Sequence, residues 1–217
     1  MERIAISRCR SQALTGKDIL TMPELSISKS VLLTDLSFYI NRYRHSTPGI
    51  YVCLHVPVEL DDDTRFVPGV VAMVNHGRLA QCEPIEHAFK GPPNFVLDVF
   101  GVDELPEYET RKEAFARFGV TEYVAVIADE NQTCHWNRHD GKGFETIVPD
   151  ENGVIKSKAL PGLWFSTTFS KNNDNWALVG SLEQGVTRLG HHEFMETIWH
   201  KEGRKDEWGD WLPFESG

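Results

Sequence analysis

Cysteine is scarce and scattered: Cys9, Cys53, Cys82 and Cys134 include no C-x-x-C pair and no spacing suited to a zinc site. Reduced thiols in a cytoplasm are therefore the expectation. Long apolar runs are lacking too. None approaches the roughly 20 residues that a bilayer-crossing helix needs, and the opening MERIAISRCR is too polar for the apolar core of a secretory signal. A soluble, cytoplasmic protein with no membrane partner follows as the expectation. Internal repeats and low-complexity tracts are also missing, which excludes solenoids and disordered arrays. Basic residues fall short of acidic ones, 22 against 32, for a net charge of −10. The shortfall is uneven, since residues 1–56 carry seven Lys/Arg against four Asp/Glu and residues 57–217 carry fifteen against twenty-eight. A nucleic acid could approach so acidic a body only through a local basic patch or bound cations, so any such partner is expected to be held weakly.

What is present suits one substantial domain. The 217 residues are 41% hydrophobic and 25% charged, ordinary globular usage. Residues 1–24 show no sustained period and read as a peripheral, mobile arm, leaving 25–217 as a single domain. From Ser30, Val31, Leu32, Leu36, Tyr39, Ile40 and Tyr43 fall near helical spacing, and Thr47-Pro48-Gly49 ends the run. Arg42, Arg44 and His45 on the other face read as solvated.

Strand patterns follow. Residues 50–56 and 66–74 predict a hairpin around the charged turn Asp61-Asp62-Asp63, with an irregularity at Pro68. Residues 95–100 are almost continuously apolar, as in a central buried strand, except for Asp98. Pro106 then opens a helix that Gly119 caps, and residues 122–128 form the next strand. Strand, helix and strand within so short a stretch make a crossover unit, so the two strands are predicted to be parallel neighbours. Short segments at 133–136, 144–148 and 154–157, separated by Asp140-Gly141 and Asn152-Gly153, predict antiparallel hairpins extending the sheet. A last helix is expected from Gly190, through Phe194, Met195, Ile198 and Trp199. Trp208 and Trp211, set among acids, have no predicted element, and an aromatic C-terminus of this kind could serve a homodimer.

A carboxylate inside an apolar strand needs a partner, which singles out Asp98. Its surroundings are PPNFVLDVFG, then a helix ending ARFGVTEYVAVIAD, then KALPGLWF. They resemble the Uma2 family (DUF820-like, of the PD-(D/E)XK nuclease superfamily) in its run of Pro-Pro-Asp-Leu-Val-Val-Glu-Val, Lys-x-x-x-Tyr-x-x-x-Gly-Val-x-Glu-Tyr-Trp and Pro-Gly-Leu. The similarity spans residues 66–163, with the pieces in the right order and spacing. The resemblance implies an α/β (α+β) fold: a restriction-endonuclease-like core, a mixed sheet with a crossover helix, and an antiparallel hairpin extension. It also implies phosphodiester hydrolysis by acids that hold Mg²⁺, with a lysine near the attacking water.

This chain departs from that pattern at each catalytic position. The family's first metal-binding acid, in a Pro-Asp step, corresponds to Gly69. Its glutamate corresponds to Asp98, one methylene shorter, and its lysine to Arg111, with Lys112 beside it. Glycine offers no ligand, and arginine holds its charge in a planar fork that cannot deprotonate. The preferred expectation is a nuclease-like protein with lapsed activity and no cofactor, serving binding or assembly, in which Asp98 and Arg111 face each other in a bidentate bridge. Two alternatives stand beside it. One is an active Mg²⁺-dependent DNA endonuclease in which Glu83 or Glu86 supplies the missing metal-binding acid beside Asp98 and Lys112 acts as the lysine. The other is a structural oligomer subunit. His191-His192-Glu193 is not a His-Glu-x-x-His zinc pattern and reads as an exposed helix start. His135, His139 and Asp140 lack a third ligand, and Gly141-Lys142-Gly143 lacks the length of a phosphate loop.

Overall fold

The computed structural model describes residues 12–14, 17–19, 25–75, 79–169 and 175–199. β1 (Gln12–Leu14) and β2 (Lys17–Ile19) pair antiparallel, although the sequence there shows no period. Trp208 and Trp211 lie outside the described residues.

Helix α1 (Ile27–Ser46) starts three residues earlier than its apolar spacing suggests, because Ser26 caps it by accepting the Lys29 N–H. Leu32, Leu33, Leu36, Tyr39, Ile40 and Tyr43 make its buried stripe. The chain then enters β3 (Ile50–Leu54), and a detour through β4 (Val58–Glu59) and β5 (Arg65–Phe66) precedes β6 (Val70–Val74). The expected hairpin exists as the antiparallel pair β3–β6. The irregularity at Pro68 is larger than a bulge, however. β5 belongs to a separate small sheet with β4, β7 (Glu83–Ile85) and β8 (Ala88–Lys90), while β6 belongs to the main one.

The main sheet has six strands, ordered β12-β11-β10-β9-β6-β3. At its centre β9 (Phe95–Phe100) runs parallel to β10 (Glu122–Ile127), joined by a 3₁₀ turn (Val102–Glu104) and the crossover helix α2 (Leu105–Phe118). Pro106 sits in the first turn of α2, and Gly119 closes it in the left-handed region at φ 82°. Strands β11 (Cys134–His139) and β12 (Phe144–Ile147) extend the sheet antiparallel, as expected. The third segment does not: β13 (Val154–Lys156) leaves the sheet and pairs with β14 (Trp164–Ser166) instead. This is a mixed α/β fold with a restriction-endonuclease-like order of elements. No helix among the described residues is long and apolar enough to cross a membrane.

Side-chain alternation on the central strands splits the core into two layers. Phe95, Leu97, Val124 and Val126 face α1, the β13–β14 pair and two C-terminal helices, α3 (Asn175–Val186) and α4 (Leu189–Trp199). Val96, Phe100, Tyr123 and Ala125 face α2 through Tyr108 and Phe115. Asp98 shares the parity of Val96 and Phe100, so it points into the second layer.

Candidate functional site

Asp98 is 4% exposed, and its carboxylate collects three donors from three elements. Oδ1 accepts the Gly69 N–H, just before β6, at 2.7 Å. Oδ2 accepts Arg111 Nη1 of α2 at 3.1 Å and the Tyr123 hydroxyl of β10 at 3.2 Å. The crossover explains the arrangement. A helix that returns over its own strand brings its inward residues onto that strand's side chains, and Tyr108, Arg111 and Phe115 are the buried face of α2.

Arg111 is 7% exposed and holds more than the expected bridge. Only Nη1 reaches Asp98, so the pair is not bidentate. Nε and Nη2 both donate to Glu107 Oε1, at 3.1 and 2.6 Å, and Nη1 also donates to the Val67 carbonyl at 3.3 Å. The guanidinium carbon lies 5.6 Å from the Phe66 ring centre and 5.7 Å from that of Phe100, so aromatic faces add to its anchoring. Burial works against the charge on Arg111, but the carboxylates of Asp98 and Glu107 outweigh it and push the pKa above the ordinary arginine value. For Tyr123, burial and then the Asp98 charge push the phenol well up, so it stays a neutral donor.

The remaining sequence candidates lie elsewhere. Lys112 turns to Glu109, 3.3 Å away, and over the Tyr108 ring. Glu83 is exposed on β7, opposite Lys90 in the small sheet, and Glu86 is exposed beside His87. Among the described residues, none of these three bonds to Asp98. The sequence reading missed Glu107 and Tyr123. Glu107 could have been found as the acid four residues before Arg111, the spacing of a helical ion pair. One further reading needs correction. His191 is not an exposed helix start but is buried, with Nδ1 on the Val186 carbonyl at 2.8 Å and Nε2 on the Thr47 hydroxyl at 2.9 Å. Arg42 is exposed, as expected, and pairs with Glu183 on the surface.

A second buried charge, also unforeseen, sits one strand over. Glu122 is wholly buried; Oε1 accepts Arg138 Nε at 2.7 Å and the Lys158 N–H at 3.0 Å, and Oε2 accepts the Ser157 hydroxyl. Arg138 also donates to the Lys156 carbonyl at 2.7 Å. This joins the Glu-Tyr step of β10 to the KALPGL tail, two pieces of the sequence similarity that lie far apart in the chain.

A family model described as "Putative restriction endonuclease", that of Uma2, matches residues 9–186, most of the chain. The chain belongs to the Uma2 family. A crystal structure described as a "putative nuclease belonging to DUF820" from Anabaena variabilis is similar in fold, at 17% identity and a TM-score of 0.50, covering 78% of this chain and 89% of that one. No curated protein matches the chain.

For this Uma2 chain the residues do not fit the divalent ion that the resemblance implies. Asp98 Oδ2 accepts two donors, one of them cationic, and Oδ1 accepts a third, which leaves about one of the four lone-pair sites of the carboxylate, beside a fixed positive charge. Gly69 offers no side-chain ligand. Among the described residues no group of three or more His, Cys, Asp or Glu is placed to hold a metal.

Proposed function

We propose that this Uma2 protein is a restriction-endonuclease-like scaffold whose metal-dependent phosphodiester hydrolysis has lapsed, and that it serves as a binding or assembly module in the cytoplasm. The observation that carries this reading is the closure of Asp98 by the Gly69 N–H, Arg111 and Tyr123. A hydrolytic site of this class recruits Mg²⁺ with neighbouring carboxylates, whereas here a fixed positive charge lies 3.1 Å from the carboxylate, where it repels the ion. Arg111 is also a poor substitute for a lysine, since it keeps its proton throughout the physiological range. The acidic surface limits any nucleic-acid partner to weak, salt-sensitive contact.

The test is plasmid nicking by the purified chain in Mg²⁺ or Mn²⁺, alongside calorimetric titration of both ions. No cleavage above that of Asp98→Ala, and no Asp98-dependent heat, is the expected result. Cleavage that disappears in Asp98→Ala would overturn the reading in favour of an active Mg²⁺-dependent endonuclease.

A further inference from the structure

Helix α1 carries apolar residues on both faces. Its inner stripe fills the core, and the opposite side bears Ile27, Val31 and Phe38, which are 84%, 55% and 61% exposed. At roughly 100° per residue these three fall within about 40° of one another, opposite the buried Leu36. Thr34 and Asn41 continue the same line, and Ser30 and Ser37 run beside it. No charged side chain falls on this line from Ile27 to Asn41. Lys29 turns the other way, to Glu104, while Asp35 and Arg42 lie on the flank, the latter paired with Glu183. The Thr34 hydroxyl donates to the Ser30 carbonyl and the Ser37 hydroxyl to the Thr34 carbonyl, each at 2.8 Å. Both hydroxyls can therefore be covered without losing those bonds.

We propose that this face of α1 is an interface with a second copy of the chain, the two α1 helices packing antiparallel across a two-fold axis at Thr34. The stripe is complementary to itself. Reversed about Thr34, it sets each large apolar residue over a smaller polar one of the other copy: Phe38 over Ser30, Val31 over Ser37 and Ile27 over Asn41. A two-fold contact uses one patch twice, so every such pairing occurs twice. Charge points to the same occupant. Two copies of a chain of net charge −10 repel over most of their surface, and an uncharged face is where they can meet. A basic or acidic partner finds nothing on this stripe to match its charge. The size fits a reversible dimer: α1 is about 30 Å long, and two such faces at a low crossing angle come to roughly the 1,000 Å² that a specific interface needs, short of an obligate one. Because α1 covers the sheet face opposite Asp98, the proposal goes beyond the lapsed-nuclease reading and does not depend on it.

The experiment is sedimentation velocity of the full chain, kept reduced, from sub-micromolar to near-millimolar concentration and at low and high salt. A monomer–dimer equilibrium is expected, and salt should strengthen it by screening the repulsion between the acidic bodies. Phe38→Glu should weaken the dimer about tenfold or more, the scale for loss of a central aromatic anchor. Its thermal midpoint at low concentration should match the native one, since the ring is exposed. Ile27→Lys, at the most exposed position of the stripe, is the second variant should Phe38→Glu fold poorly. Under mild oxidation Thr34→Cys should cross-link beyond the background set by the native cysteines, and Ser28→Cys, off the stripe, should not. A chain that stays monomeric over the whole range overturns the proposal and leaves the face to another occupant. A dimer that both charge variants leave intact, that salt dissociates, or that cross-links equally through Thr34→Cys and Ser28→Cys overturns it too. The nuclease reading is judged apart: a monomer that cuts no DNA refutes only the interface, and a dimer that cuts DNA through Asp98 refutes only the lapsed enzyme.

Discussion

The main-chain N–H of Gly69 donates to Asp98 Oδ1 at 2.7 Å, at the position where the sequence resemblance leads one to expect an acid. The glycine is there for space, not for an unusual backbone angle, since its φ is not positive. A Cβ at 69 would lie 2.9 Å from Leu33 Cδ1 and 3.2 Å from the Leu97 carbonyl. The leucine can move, but the carbonyl belongs to the central strand and cannot. Leu33 of α1 and the Leu97 carbonyl thus fill the space that a side chain at 69 would take.

Gly69→Ala is therefore expected to cost about 1–3 kcal/mol, the range for overpacking a filled site. Gly69→Asp should cost more, because it adds a second carboxylate against Asp98. Urea unfolding of the two variants checks this. Equal midpoints for Gly69→Asp and the native chain would show that α1 gives way easily.

Asp98 and Arg111 should behave as a coupled pair. Asp98→Asn or Arg111→Met alone strands a buried charge, at a cost of about 3–5 kcal/mol when the partner is lost. Glu107 keeps Arg111 partly compensated, so Asp98→Asn should sit at the lower end of that range. The double variant should be destabilised by less than the sum of the two, with a coupling of about 1 kcal/mol or more from a denaturation cycle. Strict additivity would contradict a direct interaction.

This pair was legible in the sequence, because one acid in an apolar strand and a crossover helix returning over that strand leave few partners. The strand and α1 were legible for similar reasons, continuous apolarity in one case and 3–4 spacing in the other. Other features left no such trace. The Gly69 N–H is a main-chain donor and carries no letter of its own. Helix α3 was missed because NWALVGSLEQGV holds two glycines, which weaken the helical signal. Packing explains Gly185, where a Cβ would fall 2.2 Å from the Gly162 carbonyl. His191 looked exposed because burial at a helix start depends on Thr47, 144 residues away. Strand β13 was assigned to the main sheet because a hairpin signal does not name its partner sheet.

His191 makes stability depend on pH in a defined window. The Val186 carbonyl can only accept, so Nδ1 carries the proton and neutral Nε2 accepts from Thr47. Burial lowers the pKa below the ordinary 6.5, the Val186 bond opposes this, and neighbouring His192 adds to the lowering. The unfolded chain therefore binds the proton more readily. Stability from His191 is complete above 6.5 and is lost as pH falls from there through the folded value. Asp61, Asp129, Asp140 and Asp150, whose pKa values lie below the ordinary 3.8, lose their contribution only in more acidic solution. His191→Gln should flatten the profile of denaturation midpoints just below 6.5 and leave the acid limb unchanged. A native profile with no slope in that window would remove His191 as its source.

Glu122 supplies the last prediction, because it ties three segments with one carboxylate. It anchors Arg138 of β11, the Ser157 hydroxyl and the Lys158 N–H, and it is wholly buried. Glu122→Gln keeps the shape but removes the charge, and its amide group can no longer accept at both ends. Arg138, itself buried, loses its counter-charge and is left with neutral acceptors, the Lys156 carbonyl among them. The cost should be about 3–5 kcal/mol, the range for a broken buried pair. It should also be local. Ser157 Oγ in turn accepts the Leu160 N–H, so amide exchange over 157–163 should accelerate more than over β9. Arg138→Met in the Glu122→Gln background should recover part of the loss by removing the stranded cation. Uniform acceleration across the whole sheet would show instead that Glu122 supports global stability and not the docking of this tail.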